Sequence, residues 1–402
     1  MEKYMNSTKS KVIIVPCDNY EEEKVYAAMR QGIDLLGGIT VFVSPTEKIL
    51  VKPNFLTVSE ADRAVTTHPA VIRAMLRILS EDGCMRVKYG DSPGHGSGKA
   101  AAEKIGLTKE NTYGAKLAPM NKESRVVFPE GITAKEFCFT EDVTEADAII
   151  NLCKMKTHAL EHITGAVKNV YGFICGTHKA AGHVKFPNAS VFARMLADIH
   201  RCMKPRLHIM DGIVAMEGNG PGSGTPISMK VLLFSTDPVA LDTIFCHLVY
   251  LDPELVPTNT QGQALGIGTY RAEQIEVVLA EEKRILSIKE VQERFGNPQF
   301  DVDRKGMKKT FLSCYSDVMT SLSKRPVIRK EQCVKCGICV QHCPVPGKAV
   351  DFKNGKKNVP VYDYKKCIRC YCCQEMCPQH AIVVGGNLFE TVKRKIQSIR
   401  KR

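Results

Sequence analysis

Short, largely apolar runs alternate with amphipathic stretches through the first 280 residues. Residues 11–17, 48–52, 86–90, 148–153, 206–210, 230–234 and 275–279 are brief, and most carry apolar side chains at consecutive positions. That length and composition predict strands, and strands without polar alternation predict burial on both faces. Residues 21–36, 69–81 and 238–249 instead space their apolar side chains for one face of a helix, and Pro69 and Pro238 stand where a helix can open. Strands alternating with helices imply an α/β fold, a mostly parallel sheet with helices on both faces. The more polar residues 281–325 should finish this domain and lead into a second one.

The second region is written in cysteines. Cys333-x2-Cys336-x2-Cys339-x3-Cys343-Pro344 is repeated as Cys367-x2-Cys370-x2-Cys373-x3-Cys377-Pro378. This is the spacing of bacterial two-cluster ferredoxins, in which the fourth cysteine of each run reaches the other cluster. It predicts two 4Fe–4S clusters, one on Cys333, Cys336, Cys339 and Cys377, the other on Cys367, Cys370, Cys373 and Cys343. Two zinc knuckles or disulfides would require the doubled run, proline included, to be coincidence. Each run precedes a short apolar stretch, near 349–350 and 381–384, so a small α+β ferredoxin-like domain is expected. The expected division is 1–323, 324–386 and a tail, 387–402. In the tail Leu388, Val392, Ile396 and Ile399 recur at helical spacing among Lys393, Arg394, Lys395 and Arg400. Such a stripe can lie on a membrane surface, but packing on its own protein is the favoured reading.

At 402 residues the chain can bury a large core, and no run approaches a bilayer span. Nine of its 17 cysteines lie outside the ligand set, singly, as Cys17, Cys84, Cys138, Cys153, Cys175, Cys202, Cys246, Cys314 and Cys372. That scatter fits a reducing cytoplasm, and oxygen-labile clusters point to an anaerobe. The net charge of +13 is localised: residues 324–402 carry 18 Lys and Arg against 5 Asp and Glu. A basic electron-transfer module suits an acidic donor protein such as a ferredoxin or flavodoxin. Nucleic acid and membrane are the disfavoured partners, and a merely solubilising face remains open.

In parallel sheets, ligands bind beyond the carboxyl ends of the strands. Here those ends carry Lys52-Pro53-Asn54, Asp91 through Lys99, Lys154-Met155-Lys156-Thr157-His158, Asp211-Gly212 and Ser235-Thr236-Asp237-Pro238. Lys154 and Lys156 share one face if the strand continues, and Lys168-Asn169 follow shortly. Lys52, Lys154, Lys156 and Lys168 at one rim would favour a carboxylate or phosphate. The alternative is that Asp91, Asp211 or Asp237 neutralise some of them and only brace loops. On the anionic-site reading, His158, Asp91, Lys154, Lys156, Lys168 and Asp211 are the candidate catalytic residues, and Lys52, Asn54, Asn169 and Asp237 the candidate cofactor-binding residues. Neither Gly94 to Ala100 nor Gly218 to Gly224 matches a nucleotide-binding fingerprint. His158-Ala159-Leu160-Glu161-His162 fits an H-x-x-E-H zinc-peptidase pattern that would need both histidines on one helical face; a proton-donor or cap role for His158 is preferred. His178 and His183, with Cys175, are a weaker metal candidate.

Several of these stretches, in this order, resemble the "domain of unknown function 362" iron–sulfur proteins. The matching segments are Lys52-Pro53-Asn54, Gly90-Asp91-Ser92-Pro93-Gly94, Lys154 through His158, and Gly165-Ala166-Val167-Lys168-Asn169. Further on they are Met210-Asp211-Gly212-Ile213, Glu217-Gly218-Asn219-Gly220-Pro221, and Asp237-Pro238-Val239-Ala240-Leu241-Asp242. The resemblance spans about residues 11 to 280 and implies a C-terminal two-cluster module. It marks the same lysines with Asn54, Asp91, His158 and Asp211, and is nearly silent on the reaction. Cys372 is shared with many members, yet the spacing gives it no ligand role. Val345 and Pro346 lengthen the loop after Cys343.

Three functions follow. The first is a cytoplasmic ferredoxin-fused reductase acting on a small anionic substrate. The second is an electron relay in which the large domain docks a partner protein. The third is a redox-sensing or nucleic-acid-associated protein, for which steep salt dependence would speak.

Overall fold

The computed structural model describes residues 9–176, 178–304 and 324–385. The chain divides into two compact units, Met1–Val302 and Asp303–Arg402. In the first unit the strands are β1 (Ser10–Pro16), β2 (Ile49–Lys52), β3 (Val87–Tyr89), β4 (Lys116–Leu117), β5 (Glu123–Val127), β6 (Glu136–Thr140), β7 (Ala148–His158), β8 (His162–Thr164), β9 (Leu207–Glu217), β10 (Thr225–Ser235), β11 (Ile275–Leu279) and β12 (Arg284–Leu286). The helices are α1 (Glu22–Asp34), α2 (Pro69–Glu81), α3 (Gly98–Lys104), α4 (Glu141–Thr144), α5 (Ala166–Asn169), α6 (His178–Lys185), α7 (Ala189–Met203), α8 (Pro238–Leu248), α9 (Pro257–Ala264) and α10 (Ile288–Phe295).

All these strands except β5 and β6 form one sheet in the order β12-β11-β1-β10-β9-β7-β2-β3-β4, with β8 on β7. Pairing is parallel for β1–β11, β9–β7, β7–β2, β2–β3 and β3–β4. It is antiparallel for β1–β10, β10–β9, β11–β12 and β7–β8. The strand alternation sorts side chains onto two faces. Ile13, Val15, Ile49, Val51, Ile150 and Leu152 pack with α1 and α2. Val12, Ile14, Cys153 and Met155 pack with α8, while Leu50 and Ile149 meet α7. Every residue of β2 and β7 is buried, as strands covered on both faces must be. Helix α1 lies so close that a Cβ at Gly32 would stand 2.4 Å from the Phe234 ring.

The expected strands all occur, but three are longer than their apolar runs, the run at 148–153 continuing to His158 in β7. The runs at 206–210 and 230–234 extend into a hairpin of two 11-residue strands, β9–β10. Its return strand is antiparallel, so β10 ends beside the beginnings of its neighbours, Ser235 opposite His208 and Val12. The end of β10 is therefore at the opposite edge from the ends of β2, β7 and β9.

In the second unit, β13 (Arg325–Ile328) pairs with β17 (Ile382–Gly385), and β14 (Val350–Asp351) with β16 (Val361–Tyr362); β15 is Lys353–Lys356. The two halves repeat in detail. Single helical turns occupy Ile338–Gln341 and Cys372–Glu375. The residues before and after the second cysteine of each run have positive φ: Lys335 and Gly337, then Arg369 and Tyr371. The amphipathic tail lies outside the described residues, as does Cys314. Among the described residues no helix is long and apolar enough to cross a membrane.

Candidate functional site

Strand β7 overruns β2: Lys52 pairs with Asn151, and Lys154 and Lys156 lie beyond it, with Lys154 opposite Asp211. Lys154 Nζ donates to Asp211 Oδ2 at 2.7 Å and to Tyr20 Oη at 2.8 Å, while Tyr20 donates to Asp211 Oδ1 at 2.8 Å. His68 N also donates to Asp211 Oδ2, at 3.0 Å. The His68 ring stacks on Tyr20 at 3.5 Å, and burial pushes its pKa down to about 4. Lys52 Nζ stands 3.1 Å from Asp91 Oδ1 and donates to Asn169 Oδ1 at 2.9 Å. Asp91 Oδ2 accepts from Phe55 N at 2.7 Å. Burial draws both Lys52 and Lys154 below the ordinary lysine range, and the paired aspartate opposes it in each case. The backbone closes over the Lys52–Asp91 pair at Gly172, where a Cβ would lie 2.0 Å from Asp91 Oδ1 and 2.7 Å from Lys52 Nζ.

Asn169 is the junction of the rim. Its Oδ1 also accepts from Asn54 Nδ2 at 2.9 Å, and its Nδ2 donates to Asn151 Oδ1 at 2.6 Å. Asn54 Oδ1 in turn accepts from Lys156 Nζ at 2.8 Å, and Lys156 reaches the Val65 carbonyl at 2.7 Å. Lys52, Asp91, Lys154, Lys156, Asn169 and Asp211 thus form a buried polar layer, to which the half-buried Asn54, Tyr20 and His68 connect.

The lysines divide by their partners. Lys52 and Lys154 are each neutralised by an aspartate, and Lys156 donates to the Asn54 and Val65 oxygens. Lys168 is only 9% exposed, and among the described residues its ammonium has no hydrogen-bond or ion-pair partner. It lies near enough to Lys52 and Glu161 to act on both electrostatically. Glu161 is fully buried, and neither carboxylate oxygen has a hydrogen-bond partner. Burial raises its pKa to about 8, with Lys168 opposing. A carboxyl in this state holds its proton at neutral pH.

Two candidates take other roles. Asp237 stands at the opposite edge, capping α8 through Val239 N and Ala240 N at 2.8 Å each and holding Ser10 Oγ and Thr269 N. His158 Nδ1 accepts from Leu160 N at 3.0 Å and Glu161 N at 3.1 Å, so a neutral ring carries its proton on Nε2. His158 and His162 face each other across the β7–β8 hairpin. The H-x-x-E-H segment is strand, turn and strand, so the helical face of a zinc peptidase does not form. Next to it the glycine loop clasps β7: Thr157 Oγ1 donates to Gly218 O at 3.1 Å and accepts from Gly220 N at 3.2 Å.

Sequence reasoning missed Tyr20, His68, Glu161 and Lys179. Tyr20 sits just past β1, so the strand-end rule could have found it. Lys179, on α6, donates to Ser92 O at 2.5 Å, and desolvation lowers its pKa to about 8. No local pattern signals it, and the same holds for His68.

In the second unit Cys333, Cys336, Cys339 and Cys377 line one cavity. Cys339, Cys343 and Cys373 are buried together, with Cys367 and Cys377 packed against them. Backbone donors already point at sulfur: Ala349 N to Cys343 Sγ at 3.2 Å and Ala381 N to Cys377 Sγ at 3.3 Å. The corresponding alanines lie six and four residues after their cysteines, so Val345 and Pro346 are absorbed without losing the bond. Tyr362 Oη adds a donor to Cys373 Sγ at 3.2 Å. Thiols converging on one cavity, with N–H donors on their sulfurs, fit the donor set of a 4Fe–4S cluster.

A family model described as "Domain of unknown function (DUF362)" matches residues 49–247, and one described as "4Fe-4S dicluster domain" matches residues 325–393. The chain is 34% identical over 269 residues to the thylakoid-associated protein sll1697 of Synechocystis sp., covering 65% of this chain and 81% of that protein. Among solved structures it is similar to the lactate racemase apoprotein of Thermoanaerobacterium thermosaccharolyticum, with TM-score 0.40, 12% identity, and coverage of 59% of this chain and 56% of that one. A Thermotoga maritima protein gives TM-score 0.33 and 15% identity, over 56% and 57% of the two chains. The chain thus spans little more than half of either solved structure.

Proposed function

The chain belongs to the DUF362 family and carries a 4Fe–4S ferredoxin-type electron-transfer domain, and from there we propose that it is a ferredoxin-fused reductase for a small anionic substrate. The observation that carries this reading is Lys168, a residue only 9% exposed whose ammonium has no hydrogen-bond or ion-pair partner among the described residues. An anionic ligand that displaced water from this ammonium would supply the partner a desolvated charge requires. With Lys52 and Lys154 neutralised, Lys168 leaves the rim a positive charge that no acidic side chain among the described residues pairs. A carboxylate or phosphate of the substrate is the group that matches it.

Glu161 takes the protonating role that the sequence assigned to His158 or Asp91. Asp91 is held by Lys52 and Phe55 N, whereas Glu161 keeps a proton beside the unpaired ammonium. Cys333, Cys336, Cys339 and Cys377 would hold one cluster, and Cys367, Cys370, Cys373 and Cys343 the other. Such clusters, when bound, supply electrons one at a time. The basic surplus of residues 324–402 attracts an acidic electron-donor protein by complementary charge.

Calorimetric titration of the full chain, prepared anaerobically, with inorganic phosphate and a panel of mono- and dicarboxylates tests the anion site. At least one probe should bind, and Lys168→Met should weaken it tenfold or more at unchanged iron content. Equal affinity in both proteins, or binding of no probe, would remove the basis for an anionic substrate.

A further inference from the structure

The β5–β6 hairpin stands apart from the large sheet, and the turn leading into α6 leans on it. Phe139 bridges Ile174, and Cys175 N donates to Cys138 O at 3.0 Å. In the hairpin register Glu123 faces Thr140 and Arg125 faces Cys138, which sets Glu123 and Cys138 diagonally on one face. His178, the first residue of α6, completes the group. One ligand atom from each of Glu123, Cys138 and His178 lies within 4.8 Å of the others, and His178 Nε2 is 3.1 Å from Glu123 Oε1.

Those separations are close to the edges of a small coordination polyhedron. Tetrahedral zinc at about 2.0–2.1 Å from nitrogen and oxygen, and about 2.3 Å from sulfur, sets its ligand atoms roughly 3.3–3.6 Å apart. A modest closure of the trio reaches that spacing. The donors also discriminate: thiolate and imidazole favour zinc-like ions over the hard cations, which prefer all-oxygen sites. We propose that Glu123, Cys138 and His178 form a site for one zinc-type divalent cation, separate from the iron–sulfur ligands.

A three-ligand site keeps a fourth position. Cys175 is the nearest thiol, backbone-bonded to Cys138, with its Sγ turned to Asn121 O at 3.7 Å. Rotation of that side chain, or a water, fills the position. Binding converts the Cys138 thiol to a metal thiolate and releases one proton to solvent, with no change of oxidation state. Arg125 also faces the group, but its guanidinium is held 2.8 Å from Glu136. The consequence reaches the rim, because His178 precedes Lys179, whose ammonium rests on Ser92 O beside Asp91. The cation would pin the start of α6 and with it this contact.

The test is zinc and iron content per full chain, purified anaerobically from zinc-supplemented cells and dialysed against a weak competing chelator. Wild type should retain about one zinc, with sulfur and nitrogen or oxygen scatterers at the zinc absorption edge. Cys138→Ser and His178→Gln should each lower retained zinc at least tenfold while iron and far-UV dichroism stay unchanged. Glu123→Gln, at an exposed position, should weaken zinc more mildly and guards against misfolding in the other two. The proposal is overturned if wild type retains no zinc, if the variants retain as much as wild type, or if zinc falls only when cluster cysteines are replaced.

Discussion

Replacing Glu161 by glutamine should remove a pH-dependent liability from the first unit. The wild-type carboxyl is fully buried without a hydrogen-bond partner, and burial lifts its pKa from 4.5 to about 8. Between those values the folded chain binds a proton that the unfolded chain releases. The folded state is therefore favoured below the unfolded pKa, and stability falls as pH rises toward the folded one. At 1.36 kcal/mol per unit the full window amounts to about 5 kcal/mol, of which roughly 3 falls between pH 5 and pH 8. Glutamine has nearly the same shape and cannot titrate, so its own burial cost is a constant offset. Urea unfolding of the anaerobic full chain, followed by far-UV dichroism, isolates the effect as the variant-minus-wild-type difference at pH 5, 6.5 and 8. The first unit holds most of the helix, so its transition dominates that signal, and multi-unit unfolding should be fitted accordingly. The variant should gain steadily on wild type as pH rises. A difference constant across pH would mean that Glu161 is ionised or solvated in the folded protein, and the proton-holding role would fall.

The remaining predictions concern other parts of the molecule. Lys154→Met strands the buried Asp211 charge and should cost about 3–5 kcal/mol in urea unfolding, with most of the loss recovered when Asp211→Asn is added. Gly32→Ala drives a methyl into the Phe234 ring and should cost roughly 1–3 kcal/mol in the same assay. Tyr362→Phe removes a donor from Cys373 Sγ and should lower one cluster potential by tens of millivolts, roughly 1 kcal/mol for one electron, in a redox titration followed by electron paramagnetic resonance.

What could be read in advance was what lies close along the chain. The cysteine runs are local spacing, and four of their members line one cavity. Lys154 and Lys156 are two apart, and β7 continues through both. The strand ends fail as a rule only at Asp237, because the apolar runs 206–210 and 230–234 do not reveal that their strands run in opposite directions. The polar, glycine-rich stretch between them hid the hairpin that turns β10 around. Helix α7 was not anticipated, although Phe192, Met195, Leu196 and Ile199 pack at helical spacing. Tyr20 and His68 meet Asp211 across 191 and 143 residues, separations that no local pattern encodes. The sequence does name Asp91 and Asp211 as candidate partners for the lysines, but not which lysine each one neutralises.

Electron delivery to an anion at the lysine rim is tested most directly by cluster reoxidation. The full chain is reduced anaerobically and mixed with fractionated anionic cell metabolites, and the recovery of cluster absorbance is followed for wild type and Lys168→Met. The account predicts that at least one fraction reoxidises wild type and leaves the variant reduced at equal iron content. If every fraction reoxidises the two proteins at the same rate, the rim takes no part in electron transfer and the reductase assignment is wrong.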